Sequence, residues 1–189
     1  DEIVISSGRM PITFSNLSRN VSILNSQEIK NLPVSNIQDL LKYVSGVDLR
    51  ARGTEGAQAD ISIRGGSFEQ TLVLIDGVKL SDPQTGHHNL NLPVSIEAIE
   101  QIEVLKGQGA RIFGANAFSG AVNIITKKHS SNTLTLSSIG GENGLYELSA
   151  FASAPIGTLG NNISFSKRKS DGYRHNTNFE NTSFSIGEN

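Results

Sequence analysis

The segments DISIRGG (60–66), TLVLIDGVKLSD (71–82) and SIEAIEQIEVLKGQGARIFGANAFSGAVNIITK (95–127) decide how this chain folds. They hold four short apolar runs, Ile61–Ile63, Leu72–Ile75, Ile102–Leu105 and Ala121–Thr126, each bounded by Gly or by an Asp-Gly pair. Runs of this length, rich in Ile and Val, predict the strands of a small mixed sheet. Asp76-Gly77 lies between Leu72–Ile75 and Val78–Leu80, which predicts a tight hairpin, because such a turn needs positive φ. The loops between the runs are Gly-rich and carry almost no reactive side chains. That balance points to a protein that binds and moves rather than one that catalyses.

Working outward, the clearest helix is Ser35–Ser45. Ser35 and Gln38 form a capping-box pattern, and Ile37, Leu40, Leu41 and Val44 share one face. Gly46 supplies a left-handed stop, and Val47–Leu49 leaves as a strand. Before it, Asn20–Leu24 reads as a strand and Ser26–Ile29 as a capped helical turn starting at Ser26. Ser95–Ala98 reads as one more turn. Arg50–Ala59 and Ser81–Asn91 are polar loops of the kind that carry binding. The first ten residues, DEIVISSGRM, read either as a disordered end or as an edge strand offered to a partner sheet. After residue 128 no helical signal remains. Thr133–Ile139, Leu145–Ala152, Ile163–Lys167 and Thr182–Ile186 alternate apolar with polar residues, as antiparallel strands with one apolar face do.

Composition narrows the function. The 189 residues carry a formal net charge of −2, which gives no basic footprint for nucleic acid. Cysteine is absent, so disulfides and Cys-zinc sites are excluded; this suits an envelope compartment. No 18-residue apolar run exists, but barrel strands would carry a much weaker signal. The absence of Trp suggests that most of any barrel lies outside this chain, and Asp1 suggests a leader already removed. Gly107, Gly109 and Gly114 do not have nucleotide-loop spacing. Adjacent His87 and His88, with Asp82, read chiefly as solvated loop residues; no catalytic set and no metal site is expected, and Asp76 needs no role beyond its turn. Arg64 and Glu103 each follow or sit in an apolar strand, so each either faces solvent or pairs outside its own domain.

ISIRGGSFEQTLVLIDGVKL (61–80), IEQIEVLKG (99–107) and FGANAFSGAVNIITKK (113–128), in this order and spacing, resemble the plug domain of TonB-dependent outer-membrane receptors. DEIVIS (1–6) resembles that family's TonB box, and SNIQDLLKYVSGVDLR (35–50) its helix and following strand. Within the family, the DEIVIS opening, LVLIDGV and VNIIT look most like the vitamin B12 receptor subfamily. The resemblance implies an α+β plug with short helices and long loops, followed by antiparallel strands of an incomplete barrel. Residues 1–10 would be the TonB box and linker, 11–128 the plug and 129–189 the first strands of a barrel of about 22. The plug would be compact and the tail extended or poorly packed against it.

The same resemblance implies an active importer, not an enzyme, without cofactor, in the outer membrane of a Gram-negative cell. Its plug would sit in the barrel lumen with the N-terminus in the periplasm. Glu2, Ile3, Val4, Ile5 and Ser6 would bind the C-terminal domain of TonB. Arg52, Gly53, Thr54, Glu55 and Gln58, with Ser81, Asp82, Gln84, His87, His88 and Asn89, would form the floor for a scarce large solute such as cobalamin or a ferric siderophore. Arg64, Glu103 and Lys106 would pair plug to barrel. The family commonly has Arg where Lys106 stands, and Lys lacks the planar fork that binds a carboxylate bidentately. Two other classes remain open at this point: a soluble β-rich module binding a glycan or peptide, and a hydrolase with a titratable pair in a cleft.

Overall fold

The local chemistry of Asn25 turns a strand directly into a helix. Its side chain accepts the N–H groups of Gln27 and Glu28 at 3.0 and 2.9 Å, and the Glu28 carboxylate accepts the Asn25 N–H. This capping box starts α1 (Ser26–Asn31), so the cap is Asn25 and not Ser26. The structure, a computed structural model, describes residues 4–5, 12–13, 20–34, 36–53, 58–80, 89–90, 92–107, 116–127, 132–156 and 159–188. The chain forms two compact units, residues 1–50, 59–90 and 100–126 in one and 51–58, 91–99 and 127–189 in the other.

In the first unit, β1 (Val4–Ile5) pairs antiparallel with β2 (Ile12–Thr13). β3 (Val21–Asn25) leads into α1 and then α2 (Ile37–Lys42). Asn36 caps α2 by accepting the Asp39 N–H at 2.7 Å. The helix is therefore shorter than the expected Ser35–Ser45, and Ser35 lies outside the described residues. Its apolar face is as expected: Ile37, Leu40, Leu41 and the following Val44 are buried. Gly46 follows at φ +79°, ahead of β4 (Val47–Ala51).

Among the described residues β5 (Ala59–Ile63) pairs only with β4, so the Ile61–Ile63 run forms a separate two-stranded sheet. The other three runs enter a five-stranded sheet with β3. They are β6 (Thr71–Ile75), β8 (Ile99–Lys106) and β9 (Gly120–Thr126), with β7 (Val78–Leu80) at the edge, in the order β3-β8-β9-β6-β7. β3–β8 and β6–β7 are antiparallel and β6–β9 is parallel, giving the expected mixed sheet. Thr71–Leu74 and Gly120–Ile124 are buried without alternation, because these strands are covered on both faces. Val21, Leu72, Leu74, Leu105, Ala117 and Ala121 pack on one face, with Ile23 beside them.

In the second unit β10 (Thr133–Gly140), β11 (Tyr146–Ile156), β12 (Leu159–Ser170) and β13 (Phe179–Glu188) form an antiparallel meander in that order. It is a regular extended sheet, with β10 and β13 left as its edges. Register aligns Leu134, Ala152, Ile163 and Ile186 in one row, and Leu136, Ala150, Phe165 and Phe184 in the next. Between these rows the side chains of Thr135, Phe151, Ser164 and Ser185 point to the opposite face.

Candidate functional site

The polarity of that meander is inverted relative to a water-soluble sheet. Leu134, Leu136 and Ile186 are 70%, 72% and 69% exposed, and Leu148, Ile163, Phe165 and Phe184 are exposed with them. On the other face Ser149, Ser153 and Ser164 are buried beside Phe151, and the Ser164 and Ser185 hydroxyls are 2.6 Å apart. Sequence periodicity predicted one apolar face. It gave no sign that this face would be the bare one, since alternation reports which residues share a face and not what covers it. Among the described residues no helix is long and apolar enough to cross a membrane, which leaves strands out of account.

The β4–β5 hairpin carries a candidate surface at each end. At one, the Arg52 N–H donates to the Gln58 carbonyl at 2.9 Å and pins both ends of the predicted binding loop. Arg52 and Gly53 are exposed there; Thr54 and Glu55 lie outside the described residues. At the other, the Arg64 N–H donates to the Gly46 carbonyl at 3.1 Å, and Arg64 itself takes φ +51°. The Lys106 side chain packs beside Gly46, and the Arg64 guanidinium lies beside Gly107. Arg64 and Lys106 thus meet at one end of the first unit, gathered by the turn before β4 and the ends of β5 and β8. Arg64 is exposed and Lys106 half-buried.

Glu103 does not join them. It faces neither solvent nor an outside partner, for it is fully buried in β8. Its carboxylate accepts from Gln101 Nε2 at 2.8 Å and from Asn123 Nδ2 at 3.4 Å. Asn123 Oδ1 in turn accepts the Gly77 N–H at 3.0 Å, so a polar chain crosses the sheet from β8 to the β6–β7 turn. Sequence reading missed Asn123 because it reaches Glu103 only through strand pairing, and Gln101, two residues before Glu103 on the same strand, was not singled out. Asp76 also does more than turn: its carboxylate accepts the Thr126 N–H at 2.8 Å and the Thr126 hydroxyl at 2.7 Å.

Of the second predicted loop, Asn89 is half-buried next to buried Leu90. Ser81, Asp82, Gln84, His87 and His88 lie outside the described residues, as do Glu2, Ile3 and Ser6. Val4 and Ile5 are strand, with their backbone opposite Thr13 and Ile12. Among the described residues no three acidic, His or Cys side chains gather as a metal site would require.

A family model for the TonB-dependent Receptor Plug Domain matches residues 14–121. The vitamin B12 transporter BtuB of Vibrio vulnificus strain YJ016 is 34% identical over 180 residues, 93% of this chain and 29% of the relative. Its counterpart in Vibrio cholerae strain M66-2 is 29% identical over 175 residues, 92% of this chain and 28% of the relative. The pyoverdine outer membrane receptor FpvA of Pseudomonas aeruginosa PAO1 superposes with a TM-score of 0.78 at 18% identity, over 97% of this chain and 26% of that one. The siderophore receptor PiuA of Acinetobacter baumannii superposes with a TM-score of 0.73 at 23% identity, over 100% of this chain and 26% of that one. The chain spans less than a third of the length of the curated relatives it matches.

Proposed function

The chain belongs to the TonB-dependent receptor plug domain family, and we propose that it comprises the plug and first barrel strands of an outer-membrane active importer. The observation that carries this is the inverted meander. Its apolar face is bare and its serine face is buried, as the wall of a lipid-embedded barrel with a polar interior demands. The strands run 8 to 12 residues, close to the roughly 9–11 that a tilted spanning strand needs. On β12 the outward apolar residues Ile163 and Phe165 lie between polar Asn161 and Lys167, about 20 Å of strand apart. A soluble module closing its own sandwich would have covered this face.

The proposed cycle begins outside the cell. The loop of Arg52, Gly53, Thr54, Glu55 and Gln58 and the loop of Ser81, Asp82, Gln84, His87, His88 and Asn89 form the floor of the solute site. Arg64 and Lys106 pair the plug to acids on the barrel. Solute that binds one plug conformation more tightly shifts the population toward it. Glu2–Ser6 then becomes available in the periplasm and adds as a strand to the C-terminal domain of TonB, which supplies the pull. The B12 transporters among the relatives favour cobalamin as the solute, and a ferric siderophore is the second candidate.

Uptake by the full-length receptor, in cells lacking their own, tests the reading. Labelled cobalamin should enter, and Val4→Pro should abolish entry while surface binding persists, because Pro removes a backbone donor from the pairing strand. Uptake that survives Val4→Pro would overturn the strand-addition step, and failure to bind cobalamin would pass the assignment to a ferric siderophore.

A further inference from the structure

The two ends of the bare apolar face differ in charge. Outward residues on β12 run Ile163, Phe165, Lys167, Lys169; beside them β11 ends in Leu148 and Tyr146, and β13 in Thr182 and Glu180. The row at the far end includes Ala154 and Asn161 and, among the described residues, no cation. At the lysine end Lys167 Nζ reaches Glu180 at 2.8 Å, and Lys169 stands opposite both Tyr146 and Glu180 in register. The outward strand residues at this margin of the apolar surface thus carry two ammonium groups and one carboxylate, with Glu142, Asp171 and Arg174 in the connections beyond. A lysine at mid-membrane on a barrel's outer face costs about 2–4 kcal/mol, falling to about 0–1 near the interface. Exposed Tyr146 in the same row marks the same level, where aromatic rings prefer to sit.

Connection lengths orient the sheet. The lysine end carries the longer connections, residues 141–145 and 171–178, and the far end carries the two-residue link 157–158. The longer pair is clipped together, the Asp171 N–H donating to the Asn143 carbonyl at 2.9 Å. In outer-membrane barrels short turns are periplasmic and longer loops extracellular, which puts the lysines at the outer leaflet. We infer that Lys167 and Lys169 bind the phosphate of an anionic lipid headgroup in that leaflet, its acyl chains lying over Leu136, Leu148, Phe165 and Phe184. This rests on the barrel-wall reading above. The lysine stems cross the last apolar row and bring their charge to headgroup level, as long cationic side chains do. Glu180 tempers the site by holding one ammonium in competition with the phosphate.

The test uses the full-length receptor in detergent, with lipid occupancy read by native mass spectrometry against diphosphorylated lipid A and its dephosphorylated form. Lys167→Gln with Lys169→Gln should weaken binding of the diphosphorylated lipid about 30-fold, taking about 1 kcal/mol per cation. Glu180→Gln should tighten it several-fold, and the dephosphorylated lipid should respond to neither change. Unchanged binding by the folded double variant, or equal retention of the two lipids, would overturn the lysine assignment alone. A wild-type receptor that retains no lipid would overturn the barrel-wall reading with it.

Discussion

Gly120 has no room for a side chain. A Cβ there would stand 2.4 Å from the Leu105 carbonyl oxygen and 2.7 Å from Ile63 Cδ1, and the backbone atom cannot swing aside. Gly120→Ala should therefore cost about 1–3 kcal/mol or more by overpacking, seen as a lower urea midpoint for the plug. Asp76 makes a second residue-scale case. It holds φ +49° and anchors Thr126, so Asp76→Ala loses an αL-tolerant residue and two accepted hydrogen bonds together. Hydrogen exchange at the Thr126 amide should accelerate at least tenfold, with Asp76→Asn intermediate; equal protection in all three proteins would refute the anchor. The turn itself was legible because Asp-Gly acts within four residues. Its tie to Thr126 was not, since it exists only after β6 and β9 pair in parallel. Glu103 was misread for a related reason: besides Gln101 on its own strand it accepts from Asn123, which arrives on another.

Elements were legible where their signals are local and periodic. The spacing of Ile37, Leu40, Leu41 and Val44 found the buried face of α2, yet the cap lay one residue on, where Asn36 and Asp39 displace the Ser35–Gln38 pattern. Asn36 outcompetes because its side chain meets the Asp39 N–H while also donating to the Asp39 carboxylate at 2.9 Å. Asn36→Ala should cost about 1 kcal/mol in equilibrium unfolding. In the meander, alternation found the strands but could not tell a lipid-facing row from a core row. Phe165→Arg separates the two, because a charge at the centre of a lipid-facing strand costs about 2–4 kcal/mol in a bilayer. Measured as folding of the full-length receptor into vesicles, Phe165→Leu should be nearly neutral by comparison. Equal folding of both variants would mean that this face does not meet lipid.

At the scale of the whole molecule, the reading turns on whether the leading strand must leave its own chain before it can serve another. The backbone pairs Val4 with Thr13 and Ile5 with Ile12, so the segment expected to meet TonB already has a partner. A strand in a two-residue ladder is held weakly, since isolated hairpins are marginal in water, and a longer partner strand can displace it. The chain contains no cysteine, so Val4→Cys with Thr13→Cys introduces a single possible disulfide within it. Directly opposed residues of an antiparallel pair have Cα atoms about 4.5–5.5 Å apart, inside the range that a disulfide spans. Oxidised, the double variant should bind solute normally but lose TonB-domain binding and uptake, and a reductant should restore both. Either single cysteine variant should transport under both conditions. If the oxidised, cross-linked receptor still transports, the strand does not need to be released and pulling must act elsewhere on the plug.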